Sequence, residues 1–327
     1  MTKTVIVDIM GGDNSPEEIL NGVKLAEKEF PDLNFLLVGD KEKAEPYLWN
    51  SEKIKFENIK FDKAEEYKIK RNSSTSISKG IELLKNGQGN AFISAGNTGK
   101  VVAESYMKLG KIEGVERPAI GVVIPGINKP SLLLDVGANA DCKPVYFSHF
   151  AILGSVYGKI LFDIKSPRVG LLNIGSEDFK GSKLYQETYS ELKNNTQINF
   201  VGNIEANSIV LEDNADVVVC DGFAGNIVLK AMEGVSQYVF HTLSKLNVGK
   251  EVMSSLMKSL DYQEYGGALL AGVKAPVVIC HGASSGRAIK NAIQFADLMI
   301  KESMVDKIEV EIREFNKKNI QNTSEEE

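Results

Sequence analysis

The sequence predicts an α/β fold, a three-layer sandwich around a doubly wound, mostly parallel sheet. Three observations lead to it. Several short runs rich in Val, Ile and Leu lack polar alternation, as strands covered on both faces do. Each run stops abruptly in a polar loop that carries glycine. Most are followed by a stretch with helical spacing, and strands that alternate with helices imply parallel pairing.

In chain order the runs are VIVDIMGGD (5–13), AFISAGNTG (91–99), LLLDVGAN (132–139), VGLLNIGSE (169–177), ADVVVCDGFAGN (215–226) and PVVICHGASSG (276–286). Helical spacing follows over 16–29, 100–109, 144–162, 182–193, 227–246 and 286–300. Residues 40–76 break this rhythm. They read as a strand or two with exposed connections and a loop near Arg71 to Ser76. The expectation is one catalytic domain over 1–315, with a helical dimer- or membrane-contact segment at 232–275 and a disordered tail at 316–327. In doubly wound folds ligands bind outside the C-terminal ends of the strands. The glycine-bearing loops are therefore expected to meet in one cleft.

Composition narrows the function classes. The 327 residues are 43% hydrophobic and 25% charged, ordinary values for a globular chain that buries a core. A net charge of −6 offers no basic face for nucleic acid. Cys142, Cys220 and Cys280 are far apart and form no C-x-x-C pair, so neither zinc nor a redox motif is indicated. The N-terminal MTKTVIVDIMGGD reads as a strand and not as a signal peptide. No run reaches the ~18 apolar residues of a membrane span. A cytoplasmic protein without a metal or cofactor is the expectation.

Chemistry concentrates at the strand ends. SAGNTGK (94–100) lets backbone amides approach an anion at a helix N-terminus, with Gly96, Asn97, Thr98 and Gly99 as candidate binding groups. Its spacing matches neither the nucleotide P-loop nor the dinucleotide fingerprint. A tight turn capped by Asn97 or Thr98 is the bland alternative. Asp8 and Asp13 would repel a phosphate, so they are read as orienting groups. Asn139 and Lys143, Asn173 and Lys180, and Gly222, Gly225, Asn226 and Lys230 recur near glycine turns, with Arg117 beside Pro118. The lysines are candidates for gripping an anion and the asparagines for orienting it. His281, at a strand end beside Gly282, is a candidate acid or hydrogen-bond donor. Val252, Met253, Leu256, Met257 and Leu260 share one helical stripe, readable as core, dimer interface or membrane-contact surface.

Together these segments resemble the bacterial phosphate acyltransferases of phospholipid synthesis, the acyl-ACP:phosphate acyltransferase (PlsX) family. The resemblance runs from Val7 to about Gln294. It rests on MGGD (10–13), SAGNTG (94–99), ERPAI (116–120), LLDVGANADCKP (133–144), SPRVGLLNIG (166–175), KG (180–181), VGNIE (201–205), DVVVCDGFAGN (216–226), LDYQEYGGALLAGV (260–273) and HG (281–282). It implies a sheet-centred fold like that of phosphotransacetylases and isopropylmalate dehydrogenases. It also implies a homodimer, acyl carrier protein and inorganic phosphate as substrates, and peripheral contact with the cytoplasmic membrane. A direct hand-off of product to a membrane glycerol-3-phosphate acyltransferase is implied as well. In the reaction so implied, a phosphate oxygen attacks an activated thioester, Lys180, His281 and Asn226 are the catalytic candidates, and no cysteine serves as nucleophile. Two other readings are a nicotinamide-dependent dehydrogenase on the same architecture and a non-catalytic membrane scaffold.

Overall fold

The structure, a computed structural model, describes residues 3–60, 75–246, 248, 249, 251 and 265–325, with side chains through Lys317. The strands are β1 Lys3–Asp8, β2 Leu33–Gly39, β3 Ile54–Asn58, β4 Ala91–Ser94, β5 Ala119–Ile124, β6 Ser131–Leu134, β7 Arg168–Asn173, β8 Asn199–Glu205, β9 Val217–Val219, β10 Ala268–Ala271 and β11 Val277–Ile279. The helices longer than one turn are α1 Glu17–Glu29, α2 Ser76–Lys85, α3 Thr98–Lys108, α4 Pro144–Leu161, α5 Lys183–Asn194, α6 Gly222–Lys245, α7 Gly286–Lys301 and α8 Met304–Glu325. Two compact units emerge. One joins Met1–Ile112 to Gln263–Asp306, and the other joins Glu113–Tyr262 to Lys307–Glu327.

In the first unit the strand order is β3-β2-β1-β4-β11-β10. All pairs are parallel except β10 with β11. Strands β4 and β11 are buried throughout and β1 from Val5 onward, which is why their sequences read as unbroken apolar runs. Glycine sets the helix packing distances. A Cβ on Gly80 of α2 would lie 2.3 Å from the ring of Phe92 in β4, and one on Gly22 of α1 would lie 2.5 Å from Ile289 of α7. Ser76 begins α2 rather than ending a loop, because Thr75 caps the helix by accepting from Ser78 N. Residues 71–74 of that expected loop lie outside the described residues.

In the second unit the order is β5-β6-β9-β7-β8, with β5 antiparallel to β6 and the other pairs parallel. Helix α4 packs across β9, β6 and β7. Gly154 permits the approach, since its Cβ would stand 2.4 Å from Val217 Cγ1. The mostly parallel α/β architecture expected from the sequence is thus observed in both units. Helix α6 starts at Gly222, five residues before the helical spacing becomes visible, because Asp221 accepts from Ala224 N at 2.8 Å and caps it. Past Leu229 no residue of α6 is buried. Helix α8 continues to Glu325, through residues where composition predicts disorder. No helix among the described residues is long and apolar enough to cross a membrane. Val252, Met253, Leu256, Met257 and Leu260 lie outside the described residues.

The N-terminal ends of three neighbouring strands are fastened by one buried carboxylate. Asp216, just before β9, accepts from Lys129 Nζ at 2.5 Å, Arg168 N at 2.7 Å and Arg168 Nε at 3.2 Å. Exposed Asp213 pairs with the same two cations. Burial pushes the Asp216 carboxyl up, but Arg168 and Lys129 outweigh it and hold it below its ordinary value of 3.8. The stability this provides is complete above that value and is lost as pH falls through the lower folded value. Asp216→Asn should cost about 2 kcal/mol at neutral pH. In thermal melts the gap between variant and wild type should narrow as pH drops below ~4.

Candidate active site

The sheet of the second unit ends in a loop built around Asp135, which follows β6 and is fully buried. Its Oδ1 accepts from the amides of Ile120 at 2.9 Å, Gly137 at 3.1 Å and Ala138 at 3.0 Å. Its Oδ2 accepts from Ala138 N at 3.1 Å, Asn139 N at 2.7 Å and Asn139 Nδ2 at 2.9 Å. Burial raises the carboxyl above its ordinary value, opposed by these donors. Every partner is an N–H, so the carboxylate is filled as an acceptor and shapes the turn itself.

The turn is then clamped to the start of α6. Gly222 N donates to Asn139 O at 2.7 Å. A Cβ on Gly225 would fall 2.0 Å from the carbonyl oxygen of Asp135, so only glycine fits there. Buried Cys220 directs its Sγ at that same carbonyl, 3.1 Å away. Asp221 caps α6 and also accepts from Tyr185 Oη at 2.6 Å. Asn226 is exposed beside Gly137, whose Cβ would lie 3.9 Å from its amide carbon. Asn139 gives its other contact, at 2.8 Å, to the carbonyl of Pro118, next to exposed Arg117. Sequence reasoning missed Asp135, Asp221 and Tyr185. The first two stand inside the quoted motifs, but nothing in their spacing marks them as buried hubs.

The expected lysines differ in setting. Lys143, the residue before α4, is exposed and its ammonium has no partner among the described residues. Lys180 lies 3.7 Å from Glu177 and over the ring of Phe179. Lys230 is paired with Glu233 at 2.7 Å. Asn173 does not face outward. Its Nδ2 donates to Lys180 O and Asn203 Oδ1, and its Oδ1 accepts from Ile174 N at 2.8 Å, which closes the 173–181 loop. Cys142 is half-buried, and its thiol is pushed up to about 12 by burial and by the charges of Asp135 and Asp221.

The first unit repeats the device. Asp8, at the end of β1, is fully buried and accepts from Met10 N at 3.0 Å and Ser94 Oγ at 2.7 Å. Burial lifts its carboxyl above the ordinary value, against the pull of Ser94, Ser76 and the Met10 and Gly11 amides. Ser94 Oγ accepts in turn from Gly96 N at 3.0 Å. Asp8 therefore orients serines and backbone amides. Asp13 N donates to Gly282 O at 2.7 Å, which clasps the 10–13 loop to the 281–286 turn. His281 is exposed, and its Nδ1 accepts from Ala283 N at 3.1 Å. Asn97 caps α3 by accepting from Lys100 N at 2.9 Å. Asn97, Thr98 and Gly99 are exposed, and the amides of Thr98 and Gly99 have no partner among the described residues. Such a helix end favours an anion.

In both units the C-terminal strand ends carry buried-aspartate turns, with exposed lysines or an open helix N-terminus beside them, and in doubly wound α/β folds such strand ends are where ligands bind. The family described as fatty acid synthesis proteins matches residues 3–307, and the chain belongs to it. It is 40% identical to the phosphate acyltransferase of Dictyoglomus turgidum, covering 93% of this chain and 96% of that one. The phosphate acyltransferase of Bacillus licheniformis is also 40% identical, over 95% of this chain and 98% of its own. The resemblance drawn from the motifs is thereby established, and the chain is an acyltransferase by family. A phosphotransacetylase from Streptococcus pyogenes shares the fold, with a TM-score of 0.63, 17% identity and coverage of 92% and 94% of the two chains.

Asp135→Asn places an amide nitrogen among N–H donors. It should lower unfolding free energy in urea by at least about 2 kcal/mol. Asp135→Glu should not restore it, because the longer side chain cannot keep both oxygens within the turn.

Proposed function

We propose that the protein transfers a fatty acyl group from acyl carrier protein to inorganic phosphate, giving an acyl phosphate for phospholipid synthesis. The observation that carries this reading is the 40% identity, across 93% of the chain, to a phosphate acyltransferase. The site chemistry is compatible with it. A phosphate oxygen attacks the thioester carbonyl, the carbon–sulfur bond breaks, and the thiolate of the carrier leaves. A thioester is already activated, so the main demands are to hold and aim phosphate and to stabilise the developing oxyanion.

In this reading the phosphate is held in the second unit. Lys143 supplies an uncommitted charge, and Lys180 is released from its long contact with Glu177. Asn226 orients the anion beside the Asp135 turn. A second reading seats phosphate on the open Thr98 and Gly99 amides of the first unit, and substitution separates the two. Lys143→Ala and Lys180→Ala should each raise KM for phosphate at least ~tenfold, the order expected when one charge-assisted hydrogen bond is lost. Normal KM in both variants would favour the helix end.

The class of reaction is tested by incubating the enzyme with acyl carrier protein thioester, phosphate and hydroxylamine. An acyl hydroxamate should form only when phosphate is present. Hydroxamate formed equally without phosphate would sink the proposal. The proposal extends to a cytoplasmic homodimer with peripheral membrane contact, passing product to a membrane glycerol-3-phosphate acyltransferase. The apolar stripe from Val252 to Leu260 supports the membrane part. Leu256→Glu should reduce co-flotation with vesicles of anionic phospholipid.

A further inference from the structure

The loop between β7 and α5 combines a rigid backbone with outward apolar side chains. Ile174 is 82% exposed and Phe179 is 70% exposed. Such exposure usually goes with slack, yet this loop is pinned along its length. Asn203 Nδ2 donates to Glu177 O at 2.8 Å, and Gln186 Nε2 to Phe179 O at 2.7 Å. Asp178 accepts from Tyr189 Oη at 2.7 Å and Lys193 Nζ at 3.1 Å. Asn173 ties the first residue of the loop to the last, through Ile174 N and Lys180 O. The fixed backbone therefore determines where these two side chains stand.

The loop also joins the site already described. Gly181 closes it against Asn173 and Tyr185, and Tyr185 reaches the Asp221 cap of α6. Within it, Lys180 Nζ stands 5.7 Å from the centre of the Phe179 ring. A cation and two large apolar groups thus share one short, extensively hydrogen-bonded segment. A ligand that carries an anion at the head of a hydrocarbon chain matches that arrangement, whereas free phosphate uses only the lysine.

Resting on the acyl-transfer reading above, we propose that Ile174 and Phe179 form a subsite for the acyl chain beyond its first four carbons, with Lys180 toward its anionic end. The subsite sets the preference for long-chain over short-chain donors. A contact with a few methylenes is worth roughly tenfold or more in kcat/KM. The test compares butyryl- and palmitoyl-acyl carrier protein as donors in the hydroxamate assay, with the wild type, Phe179→Ala, Ile174→Ala and Phe179→Leu. Expected is a loss of at least ~tenfold in kcat/KM with the palmitoyl donor for both alanine variants. The butyryl donor should lose much less, and Phe179→Leu should recover most of the long-chain rate. An equal loss on both donors, or none on either, overturns the subsite. So does a change in oligomeric mass of the alanine variants in sedimentation, because the two side chains would then cover a second copy of the chain. Wild-type protein that forms no acyl phosphate from either donor would instead bring down the acyl-transfer reading, and the subsite with it.

Discussion

A buried carboxylate must be filled with donors, and in this protein that requirement shapes the C-terminal strand ends of each unit. Asp135 collects amides from its own turn and from β5, and Asp8 does the same with its own turn and the serines beside it. An isolated ionised carboxylate in the interior is far too costly to tolerate. Saturated with N–H groups, it becomes a template that fixes the path of a glycine-rich turn. The close glycine contacts follow from it. Gly225 abuts the carbonyl of Asp135, and Gly11 would drive a Cβ to 2.4 Å from Gly96 N.

The same requirement changes which groups can meet a substrate. Glycine-rich loops suggest free amides, but the amides of Gly137, Ala138 and Asn139 are taken by Asp135. That of Gly222 is taken by Asn139, and that of Ala224 by Asp221. What remains outward in the second unit is side-chain chemistry, chiefly Lys143, Lys180 and Asn226. In the first unit the amides of Thr98 and Gly99 stay open, because the N-cap of Asn97 reaches past them to Lys100 N. Two otherwise similar turns therefore offer different kinds of anion contact.

Much of this architecture was readable in the sequence, for reasons that also explain the omissions. The strands β1, β4, β6, β7, β9 and β11 stand out because burial on both faces leaves continuous apolar runs. Strand β8 does not, because its residues alternate between exposed and half-buried positions until Asn203. Strand β10 is hidden between Gly266, Gly267 and Gly272, all at positive φ, which read as a loop. The early start of α6 was concealed by two glycines that weaken any helical pattern, and an aspartate cap with tight packing overrides their low propensity. The candidate lysines and asparagines could be named from their place after glycine turns. Their roles were not legible, because whether Asn173 faces a ligand or closes its own loop depends on Asn203, thirty residues away.

The cysteines carry a chemical consequence. A protein that handles thioesters, as proposed here, risks acylating itself on any thiolate within reach, since sulfur-to-sulfur exchange is nearly balanced in energy. Cys142 lies beside the Asp135 turn, yet burial and two neighbouring carboxylates keep its sulfur protonated at physiological pH. Cys220 is more deeply enclosed and aims its sulfur at a backbone carbonyl. The arrangement that shapes the turn also holds the neighbouring sulfurs as thiols, so in the proposed reaction an acyl group at this edge would meet weak nucleophiles and not thiolates.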